Sequence, residues 1–149
     1  MIIKHGKYSV LFFLTIFFIN VKFFVLEAND ENYEKFSEAV QAVKDKNYTV
    51  AADLFEPLAI NGDIDAQYNL SILIRNGLGR PQNFGLSLKW AWLSYTGGFE
   101  KAKTVLVEKL LTYVPSENLE EIRMEVLKYI LKSINEGNRR SINQIGKYY

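Results

Sequence analysis

Few residues in this chain could do chemistry. The only histidine is His5, and there is no cysteine. Past the first few residues the usual general bases, thiol nucleophiles and zinc ligands are therefore missing. Carboxylates, serines, lysines and tyrosines remain. Asp63 and Asp65 flank Ile64 directly after Gly62, as in a paired-carboxylate site or the opening of a calcium loop. Their spacing does not fit the twelve-residue calcium loop, which needs further oxygen ligands and a closing glutamate. Acidic residues at a helix N-terminus, where the dipole favours negative charge, account for them instead. Ser71 and Ser94 have neither a nucleophile elbow before them nor a lysine motif after them, and read as small residues at helix contacts. Gly77-Leu78-Gly79 is not a phosphate cradle, because such a loop follows a strand and opens a helix, whereas this pair closes one. No catalytic residue, metal or cofactor is assigned.

The elements that must carry these residues are helical. Ala66, Leu70 and Ile74 recur every fourth residue, which marks one buried helix face. Gly77 and Gly79 stop that helix, Pro81 disfavours helix at the residue before it, and Asn83 can cap the next one. The unit is helix, glycine turn, helix. It recurs at an offset of 36 residues: Asn47 maps onto Asn83, Tyr48 onto Phe84, Gly62 onto Gly98, Ala66 onto Ala102, Leu70 onto Leu106 and Ile74 onto Leu110. A period in this range means stacked helical hairpins.

These residues resemble the Sel-one-like repeat (SLR) family, a relative of the tetratricopeptide repeat. The resemblance rests on Leu58-Ala59 before Gly62, Ala66-Gln67 with Leu70, the turn Gly77-x-Gly79-x-Pro81-Gln82-Asn83-Phe84, Lys89-Trp90, and the closing Gly98. It covers one full repeat and parts of two others, roughly residues 47 to 113. Ser71 stands where the family usually has glycine, Ser87 where it has alanine, and Ser94-Tyr95 where it favours Ala-Ala. The resemblance implies an all-α fold, a short right-handed α-solenoid of about six helices in antiparallel hairpins. It also implies adaptor or scaffold roles. Some cysteine-rich secreted members are associated with β-lactam binding or hydrolysis, but this chain has none of their cysteines.

Taken in order, residues 1–28 place Lys4, His5 and Lys7 before an apolar run from Val10 to Ile19, the layout of a signal peptide. Lys22 interrupts the apolar stretch, and cleavage after Ala28 would put Leu26 where a small residue is preferred. The alternative is an uncleaved membrane anchor, and in either case the folded part is expected outside the cytoplasm. Residues 29–136 are expected to form the repeat domain. Its first helix is capped by Asn29 or Asp30 and carries Tyr33, Phe36, Val40 and Val43 inward. The second spans Tyr48 to Ile60, with Ala51, Leu54, Phe55 and Leu58 inward and Pro57 removing one hydrogen bond. Helices three, four and five are expected at about Asp63–Asn76, Phe84–Tyr95 and Phe99–Tyr113. Ser116 should cap a sixth helix reaching about Glu136, which closes the stack with a polar outer side made by Glu121, Glu125, Lys128 and Lys132. Residues 137–149 lack a sustained period and are expected to be a mobile tail.

From Asn29 onward the chain has 15 basic and 16 acidic residues, so no strong field favours nucleic acid. Hydrophobic content of 48% and charge content of 23% are ordinary for a globular domain. With the resemblance, the expected function is a non-enzymatic protein–protein interaction module of the periplasm or cell envelope, monomeric, meeting membrane only through an uncleaved leader. The alternatives are a secreted hydrolase acting on β-lactam or cell-wall substrates and a membrane-tethered adaptor that keeps its leader. The first helix of each hairpin in such arrays lines a concave surface that holds peptides or partner helices. On helix three the stripe Asp65, Asn69, Ile72 and Asn76 is the candidate binding face. On helix four Trp90 is expected in the core and Trp92 in an exposed contact. Leu70→Ala is expected to cost about 2–5 kcal/mol and Asn69→Ala little. Urea unfolding of the two variants checks this, and equal small losses would mean that the buried face is misassigned.

Overall fold

Helix-stopping residues set the element boundaries. The structure, a computed structural model, describes residues 14–18 and 31–136, and none of these lies in a strand. The leader expected over 1–28 lies outside the described residues except for helical residues 14–18, and so do the Asn29 or Asp30 cap and the tail expected over 137–149. The chain divides into two units, Met1–Lys35 and Phe36–Tyr149. Residues 31–35 of the first are helical. The second opens with α1 (residues 36–44) and continues through α2 (Tyr48–Ile60), α3 (Ile64–Asn76) and α4 (Phe84–Gly97). A π-helical stretch, Lys103–Val107, then leads into the short α5 (Glu108–Leu110), and α6 (Ser116–Asn135) ends the described chain.

The turns are built by local chemistry. Asp63 and Asn83 each stand in an extended conformation and accept a main-chain N–H three residues on, from Ala66 at 2.8 Å and Leu86 at 2.9 Å. Both are therefore N-caps, and the carboxylate of Asp63 is accounted for by that role. At the far end of α3, Gly77 turns left-handed at φ +67° and Leu78 N–H reaches back to Leu73 O at 2.9 Å, which is the Schellman pairing. The same pairing closes α1, with Asn47 N–H on Ala42 O at 2.8 Å, although the left-handed residue there is Lys46 at φ +59°.

Gly79 does something different. A Cβ built on it would stand 2.1 Å from the carbonyl oxygen of Tyr48. The turn between α3 and α4 thus rests directly on the first turn of α2. Beside it, Arg80 Nη2 donates to Asp53 Oδ1 and to Glu56 Oε2, the latter at 3.0 Å. Both acceptors lie on α2, one turn apart, and their hydrogen bonds raise the Arg80 pKa above its ordinary value.

Consecutive helices pack on one another, α2 on α3 and α3 on α4, while α4 also meets α6 and the Lys103–Leu110 segment. Its central place explains why α4 buries residues all round: Ser87, Leu88, Trp90, Ala91, Leu93, Ser94 and Thr96. One apolar cluster joins Ala39 and Ala42 of α1, Phe55 and Leu58 of α2, Leu70 and Ile74 of α3, Trp90 and Leu93 of α4, and Val126 and Ile130 of α6. A second joins Leu88 and Ala91 to Leu106, Val107, Leu110 and Val114. The serines in this core are satisfied. Ser71 Oγ donates to Ser87 O at 2.8 Å, Ser87 Oγ donates to Ser71 O at 2.8 Å, and Ser94 Oγ donates to Ile64 O at 2.7 Å. A hydroxyl costs little in a core when it finds a carbonyl of the facing helix.

Three expectations need correction. The fifth helix does not run evenly from Phe99 to Tyr113: helical residues 101–102 precede the wide π turns of Lys103–Val107, and residues 111–113 are turn. Thr104 and Val107 are β-branched, which weakens a regular α-helix. Ser116 is the first residue of α6 and not its cap, a place taken by Pro115 with no side-chain bond. Tyr33 is 76% exposed, and the buried positions of α1 are the alanines Ala39 and Ala42.

Helix α6 is tied to its neighbours at two points one turn apart. Glu125 pairs with Lys89 of α4 at 2.7 Å. The Tyr129 hydroxyl donates toward two carbonyls at the end of α2, Ile60 O at 2.6 Å and Ala59 O at 2.9 Å. Glu121, Glu125, Lys128 and Lys132 are exposed as expected, but so are Met124 and Leu131. The outer side of α6 is thus only partly polar.

Two expected outcomes follow from these geometries. Gly77→Ala should cost about 1–2 kcal/mol for the left-handed backbone, since its nearest new neighbour would be Gln82 Cβ at an ordinary 3.5 Å. Gly79→Ala adds a clash with main chain and should cost about 2–5 kcal/mol. Equal shifts in urea midpoint would contradict the close approach. Tyr129→Phe should cost about 1 kcal/mol. Burial pushes the Tyr129 pKa above the ordinary tyrosine value. The folded value therefore exceeds the unfolded one, so the hydroxyl's contribution is complete below about pH 10 and is lost as pH rises through the folded value. Thermal unfolding from pH 8 to 12 should show a smaller alkaline loss in Tyr129→Phe than in the parent. Parallel curves would count against the role given to the hydroxyl.

Candidate functional site

The stripe expected on α3 is split by the fold. Asp65 and Asn76 are exposed and Asn69 is half-buried. Asn69 Nδ2 donates to Asp65 O at 2.8 Å, and Asn76 Oδ1 accepts from Arg75 Nε at 3.4 Å. Ile72 is half-buried and packs against the second cluster, the one built on Leu88, Leu106 and Leu110. It is a packing residue rather than an apolar anchor offered to solvent. Trp92 is half-buried as well, and touches both apolar clusters. The expectation that it makes an exposed contact is corrected by the position of α4, which has neighbours on nearly every side. Trp90 lies in the core at 7% exposure.

Of the five, Asn76 lines a concavity. A groove of about 760 Å³ opens between the carboxyl end of α3, the first residue of α4, and the segment from Thr104 to Tyr113. One wall is Arg75, Asn76, Gln82 and Phe84; the other is Thr104, Glu108, Lys109, Thr112 and Tyr113. Local bonds fix the polar members. Gln82 Nε2 caps Arg75 O at 2.8 Å, and Thr112 Oγ1 donates to Lys109 O at 2.7 Å. Across the groove Phe84 and Tyr113 stack, with centroids 4.9 Å apart and planes 22° from parallel. Tyr113 remains 62% exposed.

Amide and hydroxyl groups on the lining can donate to or accept from a main chain, Arg75 and Lys109 line the groove together with Glu108, and the stacked ring pair gives a flat apolar face. Among the described residues no group of three or more His, Asp or Glu side chains could hold a metal ion. Sequence reasoning missed Phe84 and Tyr113 as a pair. Each alone reads as a helix-terminal aromatic, and their meeting depends on how the irregular Lys103–Tyr113 segment folds back. No helix among the described residues is long and apolar enough to cross a membrane. Comparison with protein-family models, with curated proteins and with solved structures finds no match to this chain.

Proposed function

We propose that this chain is a divergent Sel-one-like repeat protein, exported to the periplasm or cell envelope, which acts without catalysis by holding an extended segment of a partner protein. Its hairpins stack as a short right-handed solenoid, and the partner lies along α3 and the segment from Thr104 to Tyr113. The observation that carries this reading is the groove itself: a solvent-open channel with hydrogen-bonding side chains on both walls and a partly exposed Phe84–Tyr113 stack. The 36-residue correspondence supports the family, since Ala66, Leu70 and Ile74 are buried and so are their counterparts Ala102, Leu106 and Leu110. The layout of residues 1–28 supports export.

A photoreactive residue placed in the native envelope at Asn76 or Thr112 should yield adducts of the same size at both positions. Those adducts should be absent at exposed Thr49 on α2 and reduced in a Tyr113→Ala background. Equal adducts at all three positions, or adducts indifferent to Tyr113, would remove the groove from consideration. Turnover of a β-lactam or cell-wall substrate by the purified protein at ordinary enzyme rates would overturn the non-catalytic part.

A further inference from the structure

The outward side of α6 has a pattern of its own. Val126 and Ile130 point into the core, while Met124 (54% exposed) and Leu131 (45%) stand on the opposite side with half-buried Leu127. Spacings of three and four make these one apolar stripe along the helix. Along one flank of the stripe run Glu121, Glu125, Lys128 and Lys132, all exposed. Of these, Glu125 is held by Lys89 and Lys132 stands 3.8 Å from Glu136, which leaves Glu121 and Lys128, two turns apart, as the acidic and basic members that a second copy could meet. An antiparallel two-fold arrangement lays this flank against itself in reverse, so that Glu121 of one copy meets Lys128 of the other. A membrane surface is a poorer occupant, because the flank carries as many carboxylates as amines and anionic lipid favours only the latter.

We propose that the chain self-associates through α6 as an antiparallel helix pair. Met124 of each copy packs on Leu127 of the other, and Glu121 of each faces Lys128 of the other. Such an interface is isologous and closes on itself, so association stops at a dimer. Three apolar side chains per copy cover far less than the ~800 Å² per partner of a standard interface. The dimer is therefore weak. The surface shares no residue with the groove, and the inference stands whether or not the groove binds a partner.

The absence of cysteine makes single cysteines direct reporters. Under mild oxidation of the full chain, Met124→Cys and Leu127→Cys should form disulfide-linked dimers several times faster than Leu131→Cys. The first two lie near the two-fold axis, whereas residue 131 is displaced from its own copy by roughly 16 Å along the helices. Equal rates at all three positions would mean parallel alignment and overturn the proposal, as would rates no higher than that of Thr49→Cys on α2. By sedimentation equilibrium at low salt, Glu121→Lys and Lys128→Glu should each weaken association about threefold or more. The double variant should recover to within about twofold of the parent. A double variant as weak as either single change would overturn the register.

Discussion

The structure depends on one close approach, that of Gly79 to the carbonyl of Tyr48. No side chain larger than hydrogen fits there, and the left-handed backbone of Gly79 asks for glycine on separate grounds. The contact sets the α3–α4 turn on the first turn of α2, and Arg80 extends it one turn further by bridging Asp53 and Glu56. Three helices are thereby fixed relative to each other by a turn of a few residues. Exposed ion pairs alone contribute little, so Arg80 orients a contact that steric fit has already made.

What the sequence disclosed and what it withheld divide along the range of the interactions. The bounds of α2 and α3 and the start of α4 were legible because caps and stops are local: Asp63, Gly77, Pro81 and Asn83 act within four residues of themselves. The irregular stretch from Lys103 was read as plain helix because its apolar spacing is helical, while its β-branched residues work against that geometry. Ile72 and Trp92 are half-buried rather than fully exposed for a common reason. A helical wheel gives one inward side, yet α3 sits between α2 and α4, and α4 between α3, α6 and the Lys103–Leu110 segment, so positions facing away from one neighbour face another. The Phe84–Tyr113 stack joins residues far apart in the chain and leaves no local sign of itself.

The same distinction bears on function. Side chains that were singled out as recognition elements turned out to be divided between surface and packing, whereas the groove is assembled from helix ends and turns. Helix ends carry unpaired carbonyls and amides that need side-chain partners, and Gln82 and Thr112 meet that need at this rim. Side chains committed to capping are held in place, so in the proposed role this groove has little ordering left to do on binding.

Ser71 on α3 and Ser87 on α4 face each other in the core, and the form of their bonding has a consequence for substitution at either site. Each hydroxyl donates to a main-chain carbonyl of the opposite helix, and no substitution can delete a carbonyl. Loss of either side chain therefore leaves the other with its main-chain acceptor but removes the 2.9 Å contact between the two hydroxyls. The two sites are thus coupled through that contact, while neither hydroxyl depends on its neighbour's survival to escape being stranded in the interior.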